Sequence, residues 1–183
     1  MRCARQAVIA DDQYPPALLQ SAQIQLFLGQ QQPSLAAVRR ALELNPSYSG
    51  AWAFLGHALT ASGRFGNAVT AIRRAFALTP YDARRFMWLS NLALAHFHLG
   101  NFGLAAREAQ EAVDLQPDHW LGTQVRIAAL TKLGQLADAK VLLQSVRERE
   151  PNTTLYEFAN RLPYIARSDL HRVIDALASA GWT

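Results

Sequence analysis

The sequence predicts an all-α fold, a solenoid of consecutive antiparallel helical hairpins closed by a C-terminal capping helix, and three observations carry that reading. Proline recurs at Pro46, Pro80, Pro117 and Pro151, with steps of 34, 37 and 34 residues. Glycine recurs at Gly29, Gly63, Gly100 and Gly134 with the same three steps. Short side chains fill two more columns, Ser34, Ala68, Ala105 and Ala139, then Ala41, Ala75, Ala112 and Val146. Self-similarity at a period of roughly 20 to 50 residues marks a repeat architecture. Each column also has a physical reason. Gly accepts the left-handed backbone that turns a chain out of a first helix. Pro lacks an N–H and stops a second helix. Ala lets two helix backbones approach closely.

Taken in order, residues 1–14 read as the second helix of a unit whose first helix is missing, because Asp12 lies one period before Pro46 and Ala7 falls in the column of Ala41. A helix of this kind exposes a face that a preceding hairpin normally covers. The expectation is a chain that starts mid-repeat, either as a piece of a longer protein or with an edge that pairs two copies as a homodimer. Full units follow at 15–48, 49–82, 83–119 and 120–153. In the unit 49–82, Phe65, Ala68, Val69, Ile72, Ala75 and Phe76 keep the i, i+3, i+4, i+7 spacing of one helix face, with Arg73 and Arg74 off it. The unit 83–119 carries three extra residues between Pro80 and Gly100, which are assigned to a longer first helix. In the outer units Ser21 and Arg126 stand where Leu55 and Leu92 stand in the inner ones, so their first helices are the weakest part of the pattern. The segment 154–183 reads as a cap: Thr154 to about Arg161, then Leu162-Pro163, and a helix opened by Ser168 or Asp169. Its apolar face is Leu170, Val173, Ile174, Leu177 and Ala178, and Gly181 ends it.

Within 49–82, Trp52, Leu55, Gly56, Leu59, Ala68, Ile72, Ala75 and Pro80 follow the 34-residue tetratricopeptide signature in spacing and mostly in type. Leu59 replaces the usual aromatic and Ile72 the usual Phe. The chain therefore resembles the tetratricopeptide-repeat family. That resemblance implies a right-handed superhelix whose first helices line a concave groove for an extended peptide or a partner's helix. Carried onto this chain, the groove columns supply Leu19, Gln23, Leu26 and Phe27, then Ala53, His57 and Thr60, then Ser90, Asn91, Leu94, Phe97 and His98, and finally Gln124, Ala128, Thr131 and Lys132. The candidate site is Gln23, Phe27, His57, Asn91, Phe97, His98, Gln124 and Lys132. Phe27 and Phe97 are equally readable as hairpin core, since an aromatic at helical spacing is usually buried. Family members that clamp a terminal carboxylate use Lys, Arg and Asn where this chain has Leu19, Gln23, Ala53 and His57, which argues against a clamp. The tail Asn160-Arg161-Leu162-Pro163-Tyr164, with the amphipathic helix after it, also resembles the C-terminal repeat region of bacterial multidomain regulators that carry a class III adenylate cyclase or winged-helix domain.

Charge narrows the function classes. The formal net charge is +4 and sixteen of eighteen basic residues are arginine. Residues 1–107 hold ten basic and four acidic groups (+6), and 108–183 hold eight and ten (−2). Arg39-Arg40 and Arg73-Arg74 lie one period apart on second helices, and Arg84-Arg85 lies in the lengthened region, where it either overhangs the groove or forms a solvated helix start. An arginine stripe supports an alternative role as a nucleic-acid-binding solenoid. Basic residues are routine on an outer surface, so a protein or peptide partner is preferred and nucleic acid set aside. Apolar runs are all interrupted well before 18 residues, so no membrane span or secretory signal is read. The single cysteine, Cys3, fits a reducing cytoplasm.

No catalytic, cofactor-binding or metal-binding motif emerges. His57, His96, His98, His119 and His171 never pair at the i, i+4 spacing that puts two ligands on one helix face, and His96 and His98 point to different sides. Neither a phosphate loop nor a nucleophile elbow is present. The expectation is a cytoplasmic, non-enzymatic interaction scaffold or regulatory module without cofactor.

Overall fold

A computed structural model describes residues 13–159, 161 and 167–182. Among them are ten α-helices and no strand: α1 (Pro15–Phe27), α2 (Gln31–Leu44), α3 (Ser49–Ala61), α4 (Phe65–Leu78), α5 (Arg85–His98), α6 (Phe102–Leu115), α7 (Trp120–Lys132), α8 (Leu136–Arg149), α9 (Leu155–Ala159) and α10 (Arg167–Ser179). The chain divides into two compact units, one ending at Asp82 and one beginning at Ala83. The proposed helix over 1–14 and the motif at Asn160 and 162–164 lie outside the described residues, apart from Gln13 and Tyr14.

Unit one contains the hairpins α1–α2 and α3–α4, with α3 also packed on α2 and α1. Every hairpin turn is built the same way. Gly29, Gly63, Gly100 and Gly134 sit at φ 73°, 72°, 80° and 78°. The residue after each glycine donates its N–H five residues back, Gln30 to Gln25 at 2.8 Å and Arg64 to Leu59 at 2.9 Å, then Asn101 to His96 and Gln135 to Leu130, both at 2.9 Å. This is the Schellman closure, and it consumes carbonyls that a helix end otherwise leaves open. Gly181 (φ 101°) closes α10 in the same manner, with Trp182 donating to Leu177 at 3.3 Å.

The short-residue columns are the places where helices touch. Ser34, Ala68, Ala105 and Ala139 are fully buried, as are Ala41, Ala75 and Ala112, with Val146 nearly so. Ser34 satisfies its hydroxyl by donating to the Ala22 carbonyl across the first hairpin, 2.7 Å. Gly56 is the tightest contact, because a methyl group there would overlap the side chain of Ile72. In α4 the apolar stripe faces inward, with Ala68, Val69, Ile72 and Ala75 buried and Arg73 and Arg74 exposed. Trp52 locks the preceding loop by donating its indole N–H to the Pro46 carbonyl, 2.8 Å.

Two expectations need correction. The three extra residues do not all lengthen a first helix. α5 has 14 residues against 13 in α1, α3 and α7, and it starts five residues after Pro80 where α3 and α7 start three after Pro46 and Pro117. Two of the three therefore enter the connection between the units, where a loop absorbs length at little entropic cost. Ser168 and Asp169 lie inside α10 rather than capping it, since the helix already includes Arg167. On its face, Leu170, Val173, Ala176, Leu177 and Ala180 are buried, whereas Ala178 is exposed.

Unit two contains the hairpins α5–α6 and α7–α8, and α7 also packs on α6 and α5. α9 starts as a fifth first helix would but runs only five residues. A reciprocal capping box opens it: the Thr154 hydroxyl and N–H both donate to the Glu157 carboxylate, 2.8 and 2.9 Å, and the Glu157 N–H donates back to the Thr154 hydroxyl, 3.2 Å. α10 then packs against α9 and against α7.

Candidate functional site

The first-helix side is set by the columns 19/53, 23/57 and 27/61 in unit one and by their counterparts 71 residues later in unit two. The two units treat that side differently. In unit one, Gln23 is exposed, His57 is half-buried beside Phe54 with ring centroids 5.9 Å apart, and Phe27 is 91% exposed. Leu19, Ala53 and Thr60 form the buried floor, with Thr60 bonded to the Gly56 carbonyl at 3.0 Å. The alternative reading of Phe27 as hairpin core is thus overturned. Phe27 is the last residue of α1.

In unit two the same side is filled by the chain itself. Leu94 and Ala128 replace Gln23 and His57 in the central column, and both are fully buried. One continuous apolar cluster joins Leu94, Phe97, Val125 and Ala128 to Leu170, Val173, Ala176 and Leu177 of α10. Phe158 of α9, one period beyond Gln124, stacks on Trp182 with centroids 4.6 Å apart, and both rings are buried. Gln124 is fully buried and donates to the Phe158 carbonyl, 2.9 Å. Arg172 of α10 donates to the His98 carbonyl at the end of α5, 3.2 Å.

The candidate residues consequently part company. Gln23, Phe27 and His57 lie together on unit one. Asn91, Phe97, His98 and Gln124 are buried rather than groove-lining: Phe97 shares an apolar cluster with α10, Arg172 of α10 reaches the His98 carbonyl, and Gln124 is bonded to Phe158 of α9. Asn91 is bonded to the Met87 carbonyl at 2.8 Å, and Phe97 packs edge-on to His98 and against Phe102. Lys132 is exposed at the end of α7.

Electrostatics follow burial. His98 is pushed down to about 3, first by burial and then by the nearby Arg172 charge, so it is neutral at physiological pH. His119 is lowered by burial alone. His96 does face the opposite way from His98, placing its Nε2 3.7 Å from a Glu108 carboxylate oxygen inside the α5–α6 hairpin. Arg85 turns to Glu111 on α6, while Arg84 is exposed at the helix start. Glu150 is held below the usual carboxylate range chiefly by its hydrogen bond from Arg161, whose guanidinium lies 5.4 Å from the Phe158 ring centroid. The residues that sequence reasoning passed over are Phe158, Arg172 and Trp182. Phe158 alone carried a signal, its place in the column of Gln124.

A family model described as Tetratricopeptide repeat matches residues 19–83 and 63–119. A search of curated proteins gives no match. Among solved structures, the chain is similar to PilW, a type IV pilus biogenesis factor, at TM-score 0.77 and 18% identity over 97% of this chain and 79% of that one. It is similar to YrrB, described as a TPR protein with an unusual peptide-binding site, at TM-score 0.67 and 18% identity over 97% and 90%. It is also similar to MamA 41-end from Desulfovibrio magneticus RS-1, at TM-score 0.69 and 21% identity over 83% and 85%. These likenesses show the fold, and none of them supports a link to cyclase or winged-helix regulators. The family match spans more than half of the chain, and the chain belongs to the tetratricopeptide-repeat family.

Proposed function

We propose that this chain is a non-catalytic interaction module whose working surface is the first-helix side of unit one. Proteins of the family generally mediate protein–protein interactions, and that much extends to this one. The observation that carries the finer reading is the contrast between equivalent columns. Gln23 and His57 offer polar groups on a side that leaves Phe27 91% exposed, where Leu94 and Ala128 lie beneath a helix of the chain's own. An exposed aromatic flanked by hydrogen-bonding side chains suits an extended peptide, with the ring filling a gap between guest side chains and the polar groups binding its backbone. Similarity to a protein named for a peptide-binding site is consistent with this.

Selection from a random twelve-residue peptide library on the immobilised protein tests the reading. Peptides that emerge are expected to lose about tenfold or more in affinity on Phe27→Ala or His57→Ala, the loss typical of a central contact. Lys132→Ala leaves them unchanged. Selected peptides indifferent to both unit-one substitutions would refute the assignment.

A further inference from the structure

On the opposite, second-helix side of unit one, a groove of ≈ 550 Å³ opens between α2 and α4, with α3 beneath it. Its base is apolar, made by Leu55, Leu59 and the Trp52 ring, and its rim carries Arg39, Arg64 and Asn67. The Trp52 indole N–H is already committed to Pro46, so the ring presents hydrocarbon rather than a donor. Arg39 and Arg64 are exposed, and neither guanidinium forms a hydrogen bond or ion pair with another described residue. None of the described residues that line the groove carries a carboxylate. Within 13–82 the acidic residues are Glu43 and Asp82 against five arginines, and Glu43 is taken by Arg40 at 3.0 Å.

The repeat itself supplies a control. Seventy-one residues on, Gln110 and Gln135 stand in the places of Arg39 and Arg64, and Asp138 in that of Asn67. The charge is a property of this groove and not of the hairpin pattern. A second cavity among the described residues, ≈ 260 Å³ beside Trp120 and Phe158, differs in the same sense. Its Arg149 is paired with Asp118 at 3.3 Å and its Glu150 with Arg161 at 2.6 Å. Of these two cavities, the unit-one groove is the one whose guanidinium groups have no partner among the described residues, and it sets them above an apolar base.

We propose that the groove walled by Arg39 and Arg64 docks an acidic peptide segment, two carboxylates meeting the guanidinium groups and an aliphatic side chain between them resting on Leu55, Leu59 and Trp52. A guanidinium forks onto a carboxylate through two parallel hydrogen bonds, which gives both attraction and register. A peptide fits better than nucleic acid, because the base of the groove takes an aliphatic group and two charges neutralise few phosphates.

The test is fluorescence polarisation with three labelled probes: an eight-residue peptide alternating Glu and Leu, its Gln–Leu counterpart, and a single-stranded DNA twelve-mer. The Glu–Leu peptide is expected to bind more tightly than either of the others. The double variant R39Q/R64Q is expected to weaken it by about tenfold or more, the scale of losing hydrogen bonds to charged groups. The double variant R73Q/R74Q removes the same net charge outside the groove and is expected to change affinity by no more than about twofold, as screened distant charges do. Circular-dichroism melts check that both fold, as the exposed positions predict. Equal weakening by the two variants would reduce the effect to bulk charge and overturn the site. Preference for the Gln–Leu peptide, or tighter binding of the oligonucleotide, would overturn it equally.

Discussion

His98 shows how one side chain reports a packing event between distant parts of the sequence. Seventy-four residues separate it from Arg172, which donates to its carbonyl at 3.2 Å and whose charge adds to burial in holding the imidazole near 3. The unfolded chain takes up this proton near pH 6.5 and the folded chain does not until about pH 3, so the unfolded state binds more protons in between. Stability therefore rises with pH across that window and is lost as pH falls through it. Thermal melts of the intact protein are expected to lose about 2 kcal/mol from this group by about pH 5, one and a half units below the unfolded value. His98→Gln is expected to flatten that slope. A slope unchanged by the substitution would place the acid sensitivity elsewhere, and His119, also lowered by burial, is the next group to vary.

Between helices, glycines separate into those that space the backbone and those that merely sit in it. Gly56 of α3 has Ile72 against its α-carbon, whereas Gly66 of α4 and Gly103 of α6 face open space. Gly56→Ala is expected to destabilise by about 1–3 kcal/mol through overpacking. Gly66→Ala and Gly103→Ala are expected to stabilise by about 0.5–1 kcal/mol, because alanine has less backbone entropy to lose in a helix. Urea titrations of the three variants check both signs. Legibility in the sequence divides along the same line. Hairpin boundaries could be read because Gly63 and Pro80 act on their own backbone, and each recurs at the period. The placement of α10 could not. Leu170, Val173 and Leu177 declare an amphipathic helix, but nothing local says which face it covers, and the capping box at Thr154 and Glu157 sets the start of α9 without its length. The clue lay across the repeats, in Leu94 and Ala128 being apolar where Gln23 and His57 are polar.

For the molecule as a whole, the repeat pattern is continuous in sequence while the two units put their first-helix sides to different uses. Four hairpins on one period led to the expectation of one groove with candidates spread from Gln23 to Lys132. That expectation treated every first helix as equivalent, whereas a solenoid must also cover its last apolar face. Here α9 and α10 provide that cover, Phe158 continuing the column of Gln124 and Arg172 closing over His98. On the proposed reading, the first-helix side of unit one, which holds Phe27, is left for a guest.

Thiol accessibility tests this division directly. With Cys3 replaced by Ser, single cysteines at Gln23, His57, Leu94 and Ala128 are reacted with a maleimide, and the four rates are compared in the folded protein and in urea. The account predicts fast labelling at 23, intermediate labelling at 57, and slow labelling at 94 and 128 until the chain unfolds. Labelling at 94 and 128 as fast as at 23 in the folded protein would contradict it, because α10 would then not be covering the first-helix side of unit two.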